Sequence, residues 1–209
     1  MPPCDYGYPI IPALFGACTC PTITTVNQQA ANPTFELDLD EYTRATWYVQ
    51  KQQITGYQPA DKLFCVTATY NLEPDRHVPF YDGTVVTVYN EATEADLATG
   101  VSGGMVLCAR QPDPEHPDRL SVAPCFLPNA LSGPYWPLWI ETDPAGRYTA
   151  VAISGGQPTD VVDGGERSGS WPFTITEQPT SCTTSETGIN NAGLWILTRE
   201  ATPDAALVA

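Results

Sequence analysis

Eight short runs rich in Val, Thr, Tyr and Trp, held apart by links dense in Pro, Gly and Asp, constrain this chain more than any other feature. They cover residues 46–53, 64–72, 83–90, 103–109, 119–123, 134–141, 148–154 and 193–199. β-Branched and aromatic side chains fit a pleated, half-buried surface, and Pro and Gly end such runs. The pattern predicts an all-β chain of short antiparallel strands. Links such as EPDRHVPFYDG, RQPDPEHPD and TDPAG carry the turn residues that hairpins need. Eight strands joined this way can close into an up-and-down barrel, which leaves no open edge and can hold one small ligand. A two-sheet sandwich accommodates the same number of strands, so the count leaves both architectures open.

The remaining segments frame those strands. Residues 1–33 are rich in Pro and hold Cys4, Cys18 and Cys20, which predicts an extended N-terminal arm tied down by disulfides, without strand or helix. The barrel or sandwich then spans 34–200, led in by a helical turn at 38–42. Residues 155–192 form a link too long for a structureless loop in a compact domain. With Trp171, Phe173 and Ile175 this insertion reads as a lid or a docking element. The tail, 201–209, has room for two helical turns at most, with Thr202 as the expected cap and Pro203 in the first position.

Charge and cysteines narrow the function. A net charge of −15, with only nine Lys and Arg among 209 residues, would repel a phosphate backbone, so nucleic acid is excluded as a partner. No run of apolar residues is long enough for a transmembrane helix. The seven cysteines show no zinc spacing: CTC is too tight, and only two His, His77 and His116, sit in Pro-flanked turns. No metal site is expected. Disulfides are, with Cys18, Cys20, Cys65, Cys108, Cys125 and Cys182 as candidates, and they imply an extracytoplasmic setting, secreted or within an organelle lumen. The odd count leaves one thiol free or bonded to another chain.

Three stretches then carry a family resemblance. DLDEYTRATWYVQ resembles the first signature of the lipocalins, Gly-x-Trp-Tyr at the start of the first strand, with Trp47 and Tyr48 matching and Ala45 standing where the family has Gly. GLWILTRE is similar to the family's last strand, closed by an Arg, here Arg199. GPYWPLWIETDPAGRYTAVAISG resembles the sixth and seventh strands with a Thr-Asp-Tyr signature between them. Thr142 and Asp143 match, and the Tyr is displaced to Tyr148. The likeness is strongest to the bacterial and apolipoprotein-D-like members. The resemblance spans about residues 38–199 outside the insertion, and it implies an eight-stranded antiparallel up-and-down barrel. It also implies that Trp47 plugs the closed end and that Arg199 lies across its ring, a contact worth roughly 0.5–2 kcal/mol.

If the first strand rises from that floor, alternate links fall at opposite ends. The links near 54–63, 91–102 and 124–133, and the insertion, are expected at the mouth. Glu91, Glu94, Asp96, Asp160, Asp163, Glu166 and Glu177 would make that mouth acidic and unfavourable to anionic ligands. Strict alternation from Trp47 points Val49 and Lys51 inward, with Phe64, Val66 and Tyr70 on the second strand. Val86 and Val88 follow on the third, and Tyr135 or Trp136, with Trp139, on the far wall. Tyr57 in the first mouth link joins them as a ligand candidate. Lys51 either contacts a ligand or snorkels to the mouth. One disulfide is expected among Cys65, Cys125 and Cys182 at the mouth, while Cys108 lies near the floor, where Cys18 and Cys20 arrive. In a regular hairpin Cys108 and Cys125 stand too far out of register to bond.

The resemblance implies a binder of a small apolar or amphipathic molecule, such as a lipid, a carotenoid or another pigment, with no obligatory cofactor. A non-catalytic subunit that docks on a larger membrane complex, thylakoid-lumenal for instance, through arm and insertion is the alternative. The lipocalin domain of violaxanthin de-epoxidase shares FELDLDEY…WY and a cysteine-rich arm, which raises an enzyme as a third reading. No His–carboxylate–nucleophile set or acid pair is visible, which points away from it.

Overall fold

The computed structural model describes residues 24–25, 28–31, 36–52, 62–93, 102–112, 117–129, 132–154, 162–163, 166–167 and 194–208. Eight strands form the body: β1 Trp47–Gln52, β2 Phe64–Leu72, β3 Val85–Thr93, β4 Ser102–Arg110, β5 Leu120–Ala123, β6 Gly133–Thr142, β7 Tyr148–Ser154 and β8 Leu194–Thr198. Each pairs antiparallel with the next, and β8 pairs back onto β1. The sheet closes on itself, so the chain is a barrel and not a sandwich.

A helical turn, α1 (Leu39–Thr43), plugs the end where β1 begins. Asp38 caps it by accepting from the Glu41 amide at 3.0 Å, and the capping carboxylate comes just before the apolar stretch, as helix starts require. The turn carries Tyr42 into the core, where it is fully buried beside Trp47. The core runs up the barrel from there through Ala68, Tyr70, Val86, Val88, Ala109, Leu120, Ile140, Val151 and Leu197. Trp47 stands opposite Ala68 in the β1–β2 register, a small residue that leaves room for the indole.

Two links fold back over the outside. The β2–β3 link packs Val78 and Tyr81 against Val85 and Cys108, and the Tyr81 hydroxyl donates to the Gln111 carbonyl at 2.7 Å. The β5–β6 link is held by a disulfide between Cys108 and Cys125, whose Cα atoms lie 4.9 Å apart. Buried Arg110 ties the same link by donating to the carbonyls of Cys108 (2.9 Å), Pro124 (3.3 Å) and Leu127 (2.9 Å). In the β6–β7 turn, the Asp143 carboxylate accepts from the Ala145 and Arg147 amides, and Gly146 takes a φ of +81°, which an L side chain resists.

Several expectations need correction. Cys108 and Cys125 do bond. Cys108 pairs with Ala123 in register, but β5 ends there, and Pro124 and Cys125 turn back over β4 instead of continuing the hairpin. Cys65 is not paired with Cys125; its thiol is free and exposed. Cys18, Cys20 and Cys182 lie outside the described residues. The arm was expected without strand, yet Thr24–Thr25 and Gln28–Ala31 are strands. Because β5 is only four residues long, β6 extends past it, and Thr24 and Thr25 pair parallel with Trp139 and Ile140. The tail makes a 3₁₀ turn at Ala205–Leu207, capped by Asp204 rather than Thr202, because the Asp204 carboxylate accepts from the Ala206 amide at 2.9 Å.

Non-reducing peptide mapping is expected to recover a Cys108–Cys125 link. The bond closes a sequence separation of 17, so replacing both cysteines by serine should cost roughly 3 kcal/mol by denaturant midpoint. A map joining Cys125 to Cys65 or Cys182 would contradict this fold of the β5–β6 link.

Candidate functional site

The closed end is built around one carbonyl. The Trp47 indole N–H donates to the Tyr42 carbonyl at 3.0 Å, and Arg199 donates to the same oxygen at 2.9 Å. Arg199 also donates to the Glu41 carbonyl at 2.8 Å and to the Ala45 carbonyl. Its guanidinium sits 3.7 Å from the centroid of the Trp47 ring. One fork thus satisfies the orphan carbonyls where α1 ends and lies on the indole face. Desolvation, then the Arg44 charge, lowers the Arg199 pKa to about 10, so it stays cationic at neutral pH. Tyr148 and Glu41 complete the seal: the Tyr148 amide donates to the Glu41 carboxylate at 2.9 Å, and the Asp38 amide donates to the Tyr148 hydroxyl at 3.1 Å.

Above this floor three tyrosine hydroxyls meet. Tyr135 shares hydrogen bonds with Tyr42 at 2.7 Å and with Tyr70 at 2.5 Å. Tyr70 lies on β2 and Tyr135 on β6, four strands apart in a ring of eight, so the pair bridges opposite walls. The lumen is therefore filled at this height. The Tyr42 ring packs tilted against Trp47 and edge-on to Tyr70, with centroids 5.4 and 5.2 Å apart. Burial raises the pKa of all three tyrosines, Tyr70 to about 12, with hydrogen bonds to Tyr135 and Tyr42 pulling Tyr70 partly back.

Any cup must lie between this bridge and the mouth, and three β-bulges decide what lines it. At the β1–β8 pairing, Leu197 opposes Val49 but Ile196 opposes Lys51, so Gln50 is the extra residue. Lys51 then shares the outer face with Ile196 and is exposed, while Gln52 joins Trp195 on the inner face. On β2, Phe64 opposes Thr93 and Thr67 opposes Glu91, with Cys65 at a φ of +49°. Phe64 accordingly turns to the outer face. On β6, Pro137 opposes Ile153 and Trp139 opposes Ala152, which sends Trp139 outward and brings Ile140 into the core. A bulge adds one residue and flips every side chain beyond it.

The other expected positions fall as follows. Val66, Tyr70, Val86, Val88 and Tyr135 face inward, Val49 packs half-buried on the core, and Tyr57 lies outside the described residues. Trp136 shares the outer face, one residue from inward Pro137. Sequence reading missed Tyr42, Gln52, Asn90, Met105 and Trp195. Trp195 was legible by counting back two residues at a time from Arg199; Gln52 was not, because the bulge at Gln50 has no Gly to mark it. Exposure rises toward the mouth on the inner face of β4, from 1% at Ala109 to 59% at Met105. Of the expected acidic rim, Glu91 lies on the outer face opposite Thr67, Asp163 and Glu166 pair in a two-residue hairpin, and the rest lie outside the described residues.

Among the described residues no three His, Cys, Asp or Glu side chains are grouped to hold a metal ion, and no helix is long and apolar enough to cross a membrane. No protein-family model matches the chain, and no curated protein matches it.

The three raised tyrosine pKa values carry a pH signature. Unfolded tyrosine loses its proton near pH 10, whereas burial holds Tyr70 to about 12 and raises Tyr42 and Tyr135 well above the ordinary value. Their contribution to stability is complete below pH 10 and lost as the pH rises through the folded values, because unfolding then releases protons. Alkaline titration should find at least three of the ten tyrosines ionising only as the fold opens. Ionisation of all ten near pH 10 with native tryptophan fluorescence intact would contradict the buried trio.

Proposed function

We propose that the chain is an extracytoplasmic, lipocalin-like binding protein that holds a small apolar or amphipathic molecule above the tyrosine bridge. The observation that carries this is the closed eight-stranded barrel, plugged at one end by α1 and Trp47, with its inner wall increasingly exposed toward the other. A tube with one sealed end and one open end is a cup. Val49, Val66 and Trp195 give its wall apolar surface, and Gln52 and Asn90 give it a few polar groups, the composition that small-molecule sites share. The family reading rests on the three sequence stretches together with the geometry they foretold at Trp47 and Arg199. The Cys108–Cys125 disulfide supports a secreted or lumenal setting. Lipid and pigment are the ligand classes this cup suits.

A second reading, a subunit that docks on a larger assembly, draws support from apolar side chains on the outside. Phe80 and Phe126 project from the two links folded over β3 and β4, and Tyr89 and Val106 stand side by side between those strands. In that case the filled lower lumen would serve only rigidity.

Titration with Nile red, a neutral apolar fluorophore, separates the two. A cup gives saturable one-to-one binding that quenches tryptophan emission, and Val66→Trp, which fills the cup above the bridge, should weaken it at least tenfold while the protein stays folded. No saturable binding to the wild-type protein, with nothing apolar released on solvent extraction, would overturn the binding reading and leave the docking one.

A further inference from the structure

Strand β4 outruns its neighbour β5. All nine residues of β4 pair with β3, whereas only Cys108, Ala109 and Arg110 pair with β5. Among the described residues nothing pairs with 102–107 on the side away from β3. A bare edge offers its N–H and C=O groups to any strand that meets it, and natural edges are blunted by Lys, Pro, a bulge or a covering element. This one has none of the first three. Its sequence, SGGMVL, carries no charge and no Pro, and the β3–β4 register runs through nine pairs without a shift. Met105 and Val106, on opposite faces of the strand, are 59% and 50% exposed.

We propose that this edge pairs antiparallel with the same edge of a second copy of the chain, across a two-fold axis through Gly104. The register follows from sterics. A two-fold axis normal to the sheet keeps outer side chains outer, so the axis must pass through a residue and not between two. Centred on Met105, it would drive residue 102 of each copy into Ala123 of the other, which already holds the edge beside Cys108. Centred on Gly104, it pairs residues 102–106 with 106–102 and clears β5. Met105 then opposes Gly103, where a Cβ would meet nothing within 4 Å, so the methionine of one copy has open space over the glycine of the other. At Gly104 a Cβ would collide with the Tyr89 ring, so that ring already covers the glycine backbone. The two Tyr89 rings therefore come together at the axis on the outer face, an aromatic contact across the junction.

Charge favours self-pairing at this place. The chain carries −15, so two copies repel wherever acids meet. Strand β3 holds one acid, Glu91, opposite Gly104. In the joined sheet Glu91 and its counterpart lie three strand spacings apart, roughly 14 Å, beyond the screening length of about 8 Å at physiological salt. Five paired residues a side with Tyr89 bury on the order of 1,000 Å² in total, the low end for a specific interface, so the dimer is weak and reversible. Pairing consumes both edges, and assembly stops at two.

Sedimentation equilibrium from about 1 to 500 µM, the range a small interface requires, should show the wild-type chain passing from monomer to dimer and no further. Val106→Lys places a charge on the exposed edge and should weaken the dimer at least tenfold with circular dichroism and melting unchanged. A Gly103→Cys chain mixed with a Met105→Cys chain, both also Cys65→Ser, should form a 103–105 disulfide under mild oxidant, because directly opposed Cα atoms lie within its reach. Either chain alone offers only diagonal neighbours, about 7–8 Å apart, and should link far less. A monomer at every concentration overturns the proposal, and so does a dimer indifferent to Val106→Lys, one abolished by Cys65→Ser, or growth beyond two copies. None of these readouts depends on what the barrel holds, so their failure leaves the binding reading standing.

Discussion

Closure of the barrel depends on a single side chain meeting two demands at once. Arg199 follows the last strand directly and reaches the beginning of the first. It satisfies carbonyls of Glu41, Tyr42 and Ala45, and it covers the Trp47 ring. The indole in turn donates to the Tyr42 carbonyl, so helix, first strand and last strand share one small network. Hydrogen bonds from a charged donor are worth about 1.5–3 kcal/mol each, more than the cation–π contact on its own. The Arg is therefore a carbonyl clamp first and an aromatic cover second. A Lys there would keep the charge and lose the fork.

That network also explains why the floor could be read from the sequence and the mouth could not. Near Trp47 alternation holds: Val49, Ala68, Tyr70, Val86 and Val88 fall where a period of two puts them. Farther up, the bulges at Gln50, at Cys65 and between Pro137 and Trp139 each shift the phase by one. Lys51, Phe64 and Trp139 looked like lumen residues and are outer ones for this reason. Bulges increase twist and let a sheet curl, and another irregularity lies at the floor between Glu141 and Thr142. None of the three carries a Gly, the residue that usually betrays them. The Cys108–Cys125 bond was hidden for another reason: the strand run ends at Ala123, as read from the sequence, but the hairpin does not continue in register through Pro124 to Cys125.

The tyrosine bridge sets the limits of function. It spans the lumen from β2 to β6 above the Trp47 plug and fills the tube at that height. Three phenols are a costly filling unless their hydrogens find acceptors, and here the hydroxyls serve one another. The acidic surplus of the chain disfavours anions at its surface.

A double-mutant cycle between Trp47 and Arg199 tests the account most directly. Trp47→Leu, Arg199→Met and the pair together, compared by denaturant unfolding, should show the two side chains coupled by roughly 1–3 kcal/mol, because each supports the other through the Tyr42 carbonyl. Additive losses, with no coupling beyond error, would mean that guanidinium and indole act independently and that the barrel is held shut by something else.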